Sequence, residues 1–324
     1  MTSPEPVAFY CMSSDVYFLG AVGMINSLRL QGHEEPIYLL DLGLTAAQRE
    51  LLAPEVRFVG APDDRPPWLL KTVAPLAHPA ETMVLIDADM VVTRPLSELI
   101  ERAREGRVIA FENQVDRFVP EWSELLDLAP VQRRPYVCSG LVLCGGEVGA
   151  EVIRLLDDRQ RQVEFGRTHF ARNDPGYPLL YLDQDVLNAV LQGGVDPGGF
   201  DPLSYRLAPM PPFDGLELLD AEALRCAYAD GTEPYVVHHI LPEKPWLKGL
   251  YDGPYVRLLK RLLSGPGLAI RVPPDELPLR VRTGALAYFE QKRVNAGQRF
   301  RWHVGDPLAA RLRAQRERPT DAAP

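Results

Sequence analysis

Asp87 and Asp89 stand one residue apart between two apolar runs, Val84-Leu85-Ile86 and Met90-Val91-Val92. Residues i and i+2 of an extended chain share a face, so at a strand end both carboxylates point into one cleft. Two anions that close repel unless a cation lies between them, and hard oxygen ligands suit a divalent metal. A charged turn between two strands is the plainer reading, but the apolar residues on both sides argue for a buried approach. Three further groups carry chemistry. Ser13-Ser14-Asp15-Val16-Tyr17 follows an apolar run, Asp183-Gln184-Asp185 opens a helical pattern, and His238-His239 precedes Lys244-Pro245-Trp246. A histidine at a strand end is either a metal ligand through its neutral imidazole or a hydrogen-bonded structural residue. The chain has five lysines against thirty arginines, which singles out Lys244.

The elements that must position these groups alternate. Val7 to Met12, Pro36 to Asp41, Val56 to Val59, the Val84 run, Arg107 to Phe111, Val137 to Leu143 and Tyr235 to His238 read as strands. Helical spacing connects Leu19, Val22, Ile25 and Leu28; Thr45 caps a short helix from Ala46 to Leu52, and a helix is expected over Leu69 to Leu76. Asp183 is placed to cap a helix with Val186, Leu187, Val190 and Leu191 on its apolar face. Asp185 reads as a first-turn helix charge. Strands alternating with helices predict an α/β sheet with ligands at the carboxyl ends of its strands. The Pro- and Gly-rich stretches at 193–215 and 264–278 read as loops.

Composition narrows the class. With 324 residues the chain can bury a sizeable core, and its net charge of −9 disfavours nucleic acid as a partner. No apolar run approaches the roughly 20 residues of a membrane span, and the N-terminus lacks a signal-peptide pattern. Cys11, Cys138, Cys144 and Cys226 have no metal-ligand spacing and read as free thiols in a reducing compartment. A cytoplasmic protein is expected. Charge is unevenly placed: residues 280–318 hold ten Arg/Lys and three acids, a net of +7, on a body of −16.

The four groups, in this order and spacing over roughly residues 7–250, resemble the retaining glycosyltransferases of family 8, which include bacterial galactosyl- and glucosyltransferases and glycogenins. The resemblance implies the GT-A fold: a Rossmann-like, mixed but mostly parallel sheet flanked by helices. Residues 1–265 would form the catalytic domain and residues 266–324 a loop and a basic, partly helical extension. It implies a uridine diphosphate sugar as donor, UDP-glucose or UDP-galactose, and retention of configuration. Asp87, Asp89 and His238 would hold manganese, or alternatively magnesium. Ser13, Asp15 and Tyr17 would hold the base, with Lys71, Asp87, Ser139 and Lys244 also on the donor. Asp183 and Gln184 would face the donor sugar, with Lys244 assisting the leaving diphosphate. Gln184 is a poor nucleophile, so front-side attack assisted by the leaving phosphate is the economical route.

The chain departs from the family at Cys138-Ser139-Gly140, where an Asn often stands first, and at Leu241, where a glycine often stands. The acceptor is not specified, although segments 113–135 and 163–180 lie where its pocket would be shaped. The basic extension is expected either to meet an anionic membrane at the inner face or to pack back on the body. Two rival readings stand beside this one. One is a non-catalytic sugar-nucleotide binding protein. The other is a haloacid dehalogenase-type phosphatase, in which Asp87 would be the nucleophile.

Overall fold

A computed structural model describes residues 4–62, 65–247, 253–282 and 284–300. Strand β1 (Glu5–Ser13) runs into a 3-10 turn (Asp15–Tyr17) and helix α1 (Phe18–Leu30). Then come β2 (Ile37–Asp41), α2 (Ala46–Leu52), β3 (Arg57–Gly60), a 3-10 turn (Pro67–Leu69), α3 (Val73–Ala77), β4 (Ala80–Ile86) and β5 (Met90–Val92). The chain continues through α4 (Ser97–Arg104), β6 (Val108–Glu112), α5 (Trp122–Leu125), β7 (Val137–Gly145), α6 (Gly146–Gln160) and α7 (Asp183–Gly193). It closes with β8 (Phe200–Leu203), β9 (Leu216–Asp220), β10 (Arg225–Tyr228), β11 (Val236–His238), α8 (Pro254–Ser264) and α9 (Ala285–Phe300).

Seven strands form the main sheet in the order β3-β2-β1-β4-β7-β6-β8. All neighbours are parallel except β7, which is antiparallel to both β4 and β6. Alternation along the strands builds two cores. Phe9, Val84, Ile86 and Leu143 face α1, α4 and α8, whereas Tyr10, Leu85 and Val142 face α5, α6 and α7. Two small ribbons stand apart, β9 with β10 and β5 with β11. The second matters most, because its antiparallel register pairs His238 with Met90 and so brings the late histidine beside Asp89.

Several expectations are corrected. The single helix over Leu69 to Leu76 is instead a 3-10 turn and a short α3, with Lys71 between them. Pro75 falls in the first turn of α3, where its missing N–H is an orphan in any case. The stretch 193–215 is not all loop: Phe200–Leu203 is an edge strand, where Pro202 is tolerated because one side of the ladder is open. Leu182, not Asp183, occupies the N-cap of α7. The helical part expected of the basic extension is α9, which runs from Ala285 to Phe300. Thr283 and the tail from Arg301 onward, including Trp302, lie outside the described residues. Thr45 caps α2 as expected, through a reciprocal box with Gln48. Residues 266–281 lie on the body, with Leu268, Ile270, Val272, Leu277 and Val281 in the same core as α1 and α8. The Asn26 amide group, within α1, anchors them by donating to Leu262 O and Ile270 O and accepting from Ile270 N.

Candidate active site

The chain leaves the buried β4 at Asp87 and re-enters a buried strand at Met90, so Asp-Ala-Asp forms the floor of a cleft at the strand's carboxyl end. Asp87 N–H donates to Gly140 O at 2.8 Å, tying the floor to β7. Gly140 has to lack a side chain: a Cβ there would stand 2.5 Å from Met90 Cε and 2.6 Å from His238 Cε1. Gly20 serves the same end from α1, where a Cβ would meet Ala88 O and the Trp246 ring at 2.6 Å.

Asp87, Asp89 and His238 each offer a ligand atom, all within 4.8 Å of one another. Asp89 Oδ1 lies 3.1 Å from His238 Nε2, and the other imidazole nitrogen faces Cys138 Sγ at 3.8 Å. Lys244, 2 % exposed, donates from Nζ to Asp89 Oδ2 at 2.5 Å and to His239 O at 2.6 Å. Lys71 bridges Asp87 (2.8 Å) and Asp183 (3.0 Å) and donates to Ser139 O at 3.1 Å. Ser139 Oγ lies 3.4 Å from the same ammonium.

The electrostatics follow from burial and pairing. Burial raises the Asp87 carboxyl; Lys71 opposes this, but Asp89 adds to it and the net shift is upward. Burial works the same way on Asp89, yet His238 and Lys244 outweigh it and hold that carboxyl well below the usual range. Burial disfavours the charged His238 ring, but Asp89 overrides it and pushes its pKa up to about 10. For Lys71, too, Asp183 and Asp87 outweigh burial and the net shift is upward. Two carboxylates and an imidazole that converge in this way are a donor set that fits a hard divalent cation, which on binding would displace the imidazole proton.

The other predicted residues fall around this centre. Ser13 is buried, with its hydroxyl donating to Ser14 O at 3.1 Å. Asp15 is exposed and accepts from Val16 N at 2.8 Å. Tyr17 is half-buried, with its ring 5.6 Å from Lys244 Nζ and 6.3 Å from the Trp246 ring. Burial, then Asp89 and Asp87, push its hydroxyl up to about 12. His239 turns away, as strand alternation requires, and lies against Tyr255.

Asp183 and Gln184 open α7 directly after Leu182, whose φ of 53° and ψ of −124° are strained for a branched residue. Asp185 stands in the first turn of α7 as expected, and the structure adds that it is a fully buried hub. It accepts from Arg117 (2.9 Å), Tyr136 OH (2.7 Å) and Tyr181 N (2.8 Å). Gln184 Nε2 donates to Tyr136 OH at 3.0 Å. Sequence reasoning missed Tyr136; the only available signal was its place immediately before the β7 strand pattern.

Among solved structures, an active-site variant of LgtC superposes on the chain with a TM-score of 0.52 and 16 % identity, covering 83 % of this chain and 98 % of its own. The chain has the GT-A fold. The galactosyltransferase LgtC in complex with donor and acceptor sugar analogues gives 0.50 at 18 % identity, over the same shares of both chains. The bifunctional glycosyltransferase WbbM, without ligands, gives 0.50 at 15 % identity over 80 % of this chain and 50 % of its own. No protein-family model matches the sequence, and no curated protein does either. The GT-A fold sets aside the phosphatase reading of Asp87. Asp87 and Asp89 follow the carboxyl end of β4, His238 and Lys244 contact Asp89, and Lys71 joins Asp87 to Asp183 beside Gln184.

Proposed function

We propose that the chain is a metal-dependent glycosyltransferase that moves a hexose from UDP-glucose or UDP-galactose to an acceptor with retention of configuration. The observation that carries this reading is the convergence of Asp87, Asp89 and His238 within 4.8 Å on a GT-A sheet. Manganese, with magnesium as the alternative, would be held by these three side chains; when bound it neutralises charge growing on the departing diphosphate. Lys244 adds a buried positive charge to the same region. Ser13, Asp15 and Tyr17, on the loop after β1, would hold the uracil base, with the Tyr17 ring against its face. Lys71, Ser139 and Asp183 would orient the donor sugar. Gln184, with its amide N–H₂ engaged by Tyr136, would present its carbonyl oxygen toward the reacting carbon. An amide oxygen is a weak nucleophile, so the acceptor hydroxyl would attack from the face that the diphosphate leaves. Bond formation on the face where the carbon–diphosphate bond breaks would retain the configuration, and the hydroxyl proton would pass to an oxygen of the departing diphosphate.

The basic extension supports a second part of the proposal, a cytoplasmic enzyme held peripherally at an anionic inner-membrane face. Along α9, Leu286, Tyr288 and Phe289 are exposed while Ala287 is buried. Among the described residues no helix is long and apolar enough to cross a membrane.

The test is release of uridine diphosphate from each donor with manganese and after chelation. Activity is expected to vanish with chelator, and Asp89→Ala is expected to lose at least ~10²-fold in rate, the scale of a lost electrostatic stabiliser. Full activity in that variant would remove the metal assignment. Donor binding without release would favour the non-catalytic alternative, and a β-linked product from an α-linked donor would remove retention.

A further inference from the structure

Beside the catalytic centre an aromatic row stands in solvent, unaccounted for by the fold. Trp68, 40 % exposed, stacks on Phe165 with centroids 5.3 Å apart and planes 17° apart. Phe170, 51 % exposed, lies 5.3 Å from the Trp68 ring on a 30° tilt. The row continues through His169, 5.6 Å from Phe170 and 5.9 Å from Tyr181. Large apolar rings grouped on an open surface mark an interaction site more often than a lone exposed side chain does.

Both ends of the row are tied to residues assigned above to the donor sugar. Trp68 is three residues from Lys71, so their Cα atoms are at most about 11 Å apart; Tyr181 is two from Asp183, at most about 7 Å. Lys71 and Asp183 themselves form an ion pair at 3.0 Å. The loop bearing Phe165 and Phe170 is also pre-organised. Buried Thr168 donates to Phe165 O at 2.8 Å and its carbonyl accepts from Asn173 N at 2.9 Å. His169 N–H reaches Leu180 O at 2.9 Å, and Arg167 pairs with Asp174 at 2.9 Å. A shelf held this firmly gives up little entropy when a ligand settles on it.

We propose that the Trp68–Phe165–Phe170 shelf is the acceptor subsite and that it takes a pyranose ring by its apolar face. This rests on the glycosyltransferase reading above. A sugar ring has a C–H face that packs on an aromatic surface and a hydroxyl edge that needs polar neighbours. Exposed His169, Arg172 and Asn173 on the same loop supply such neighbours. An acyl chain gains most when its whole circumference is enclosed, and an open shelf covers one side only.

Saturation-transfer NMR on the full chain loaded with manganese and uridine diphosphate provides the test, using methyl glycosides of glucose and galactose, lactose, and octanol as probes. At least one glycoside is expected to receive saturation through its ring C–H protons, and to bind roughly 3- to 10-fold more weakly to Trp68→Ala and to Phe170→Ala. Thermal melts of both variants report whether the fold is kept, and Trp68→Phe is expected to restore part of the binding. No glycoside signal in the unaltered protein, equal binding in both variants, or transfer to octanol alone would each overturn the proposal. Calorimetry with uridine diphosphate and manganese is read separately; failure there removes the donor reading, whatever the shelf does.

Discussion

Asp89 accepts from the buried Lys244 at 2.5 Å and lies 3.1 Å from His238 Nε2. Lys244 carries its charge on a compact ammonium in a region where the proposed diphosphate gathers charge as it leaves. Lys244→Ala is therefore expected to lower turnover more than donor affinity. Steady-state kinetics on the purified variant will separate the two, and a raised Michaelis constant at unchanged turnover would mean uniform binding instead. Tyr136 acts one step further back. Its hydroxyl accepts from Gln184 Nε2 and donates to Asp185, which fixes the Gln184 amide so that its oxygen is left for the cleft. Tyr136→Phe keeps the ring and removes the hydroxyl. Turnover should fall about 5- to 10-fold with little change in donor affinity, alongside roughly 1.5–3 kcal/mol of stability, the scale of a hydrogen bond to a charged group. Equal losses in turnover and affinity would assign Tyr136 a purely structural role.

Among the elements, the segment carrying Lys71 is held by little regular structure, since it lies between a 3-10 turn and the five-residue α3. Asp157, on α6, supplies the missing anchor. It accepts from Thr72 Oγ1 at 2.7 Å and from Arg65 at 2.8 Å, and pairs with Arg161 at 3.1 Å. Burial raises the Asp157 carboxyl, but the Thr72 and arginine contacts outweigh it and the net shift is downward. A depressed carboxylate contributes stability above its ordinary pKa of 3.8 and loses that contribution as pH falls through its lower native value. Asp157→Ala should cost roughly 1 kcal/mol after solvent screening. The difference in melting temperature from the parent chain should hold steady above about pH 5 and close below about pH 4. A difference that persists undiminished into acid would mean that packing, not the charge, does the anchoring.

For the whole molecule, the question is where the folded body ends. Leu268, Ile270, Val272, Leu277 and Val281 are buried with α1 and α8. At about 1.5–3 kcal/mol each they contribute on the order of 8–15 kcal/mol, comparable with the entire stability of a typical domain. A chain ending at residue 265 should therefore aggregate or melt far below the full chain. One ending at residue 284 should melt close to it, having lost only α9 and the residues beyond. Sedimentation with phosphatidylserine vesicles then separates the proposed membrane role from folding. The full chain should pellet at low salt and be released at high salt, while the 284 chain stays in solution. Equal behaviour of the two would leave the membrane proposal without support.

The sequence alone determined the layered α/β class, most strand positions, the α2 cap and the metal-ligand candidates, because each is written locally. Alternation marks a strand, Thr45 and Gln48 mark a helix start, and Asp87 and Asp89 are one residue apart. Lys71 was marked only by the family resemblance, and its bridge from Asp87 to Asp183 depends on how β4, β7 and α7 pack, elements far apart in the chain. The contact of His238 with Asp89 depends likewise on the β5–β11 register. Asp185 was legible as a first-turn helix charge, and only tertiary structure shows Arg117, Tyr136 and Tyr181 surrounding it. The edge strand β8 was hidden by its prolines and short length, since edge strands need little local pattern when the neighbour supplies the ladder. The stretch 264–278 read as a loop by composition and is irregular in the structure, but Leu268, Ile270, Val272 and Leu277 within it are buried, because burial is set by what the rest of the chain leaves uncovered.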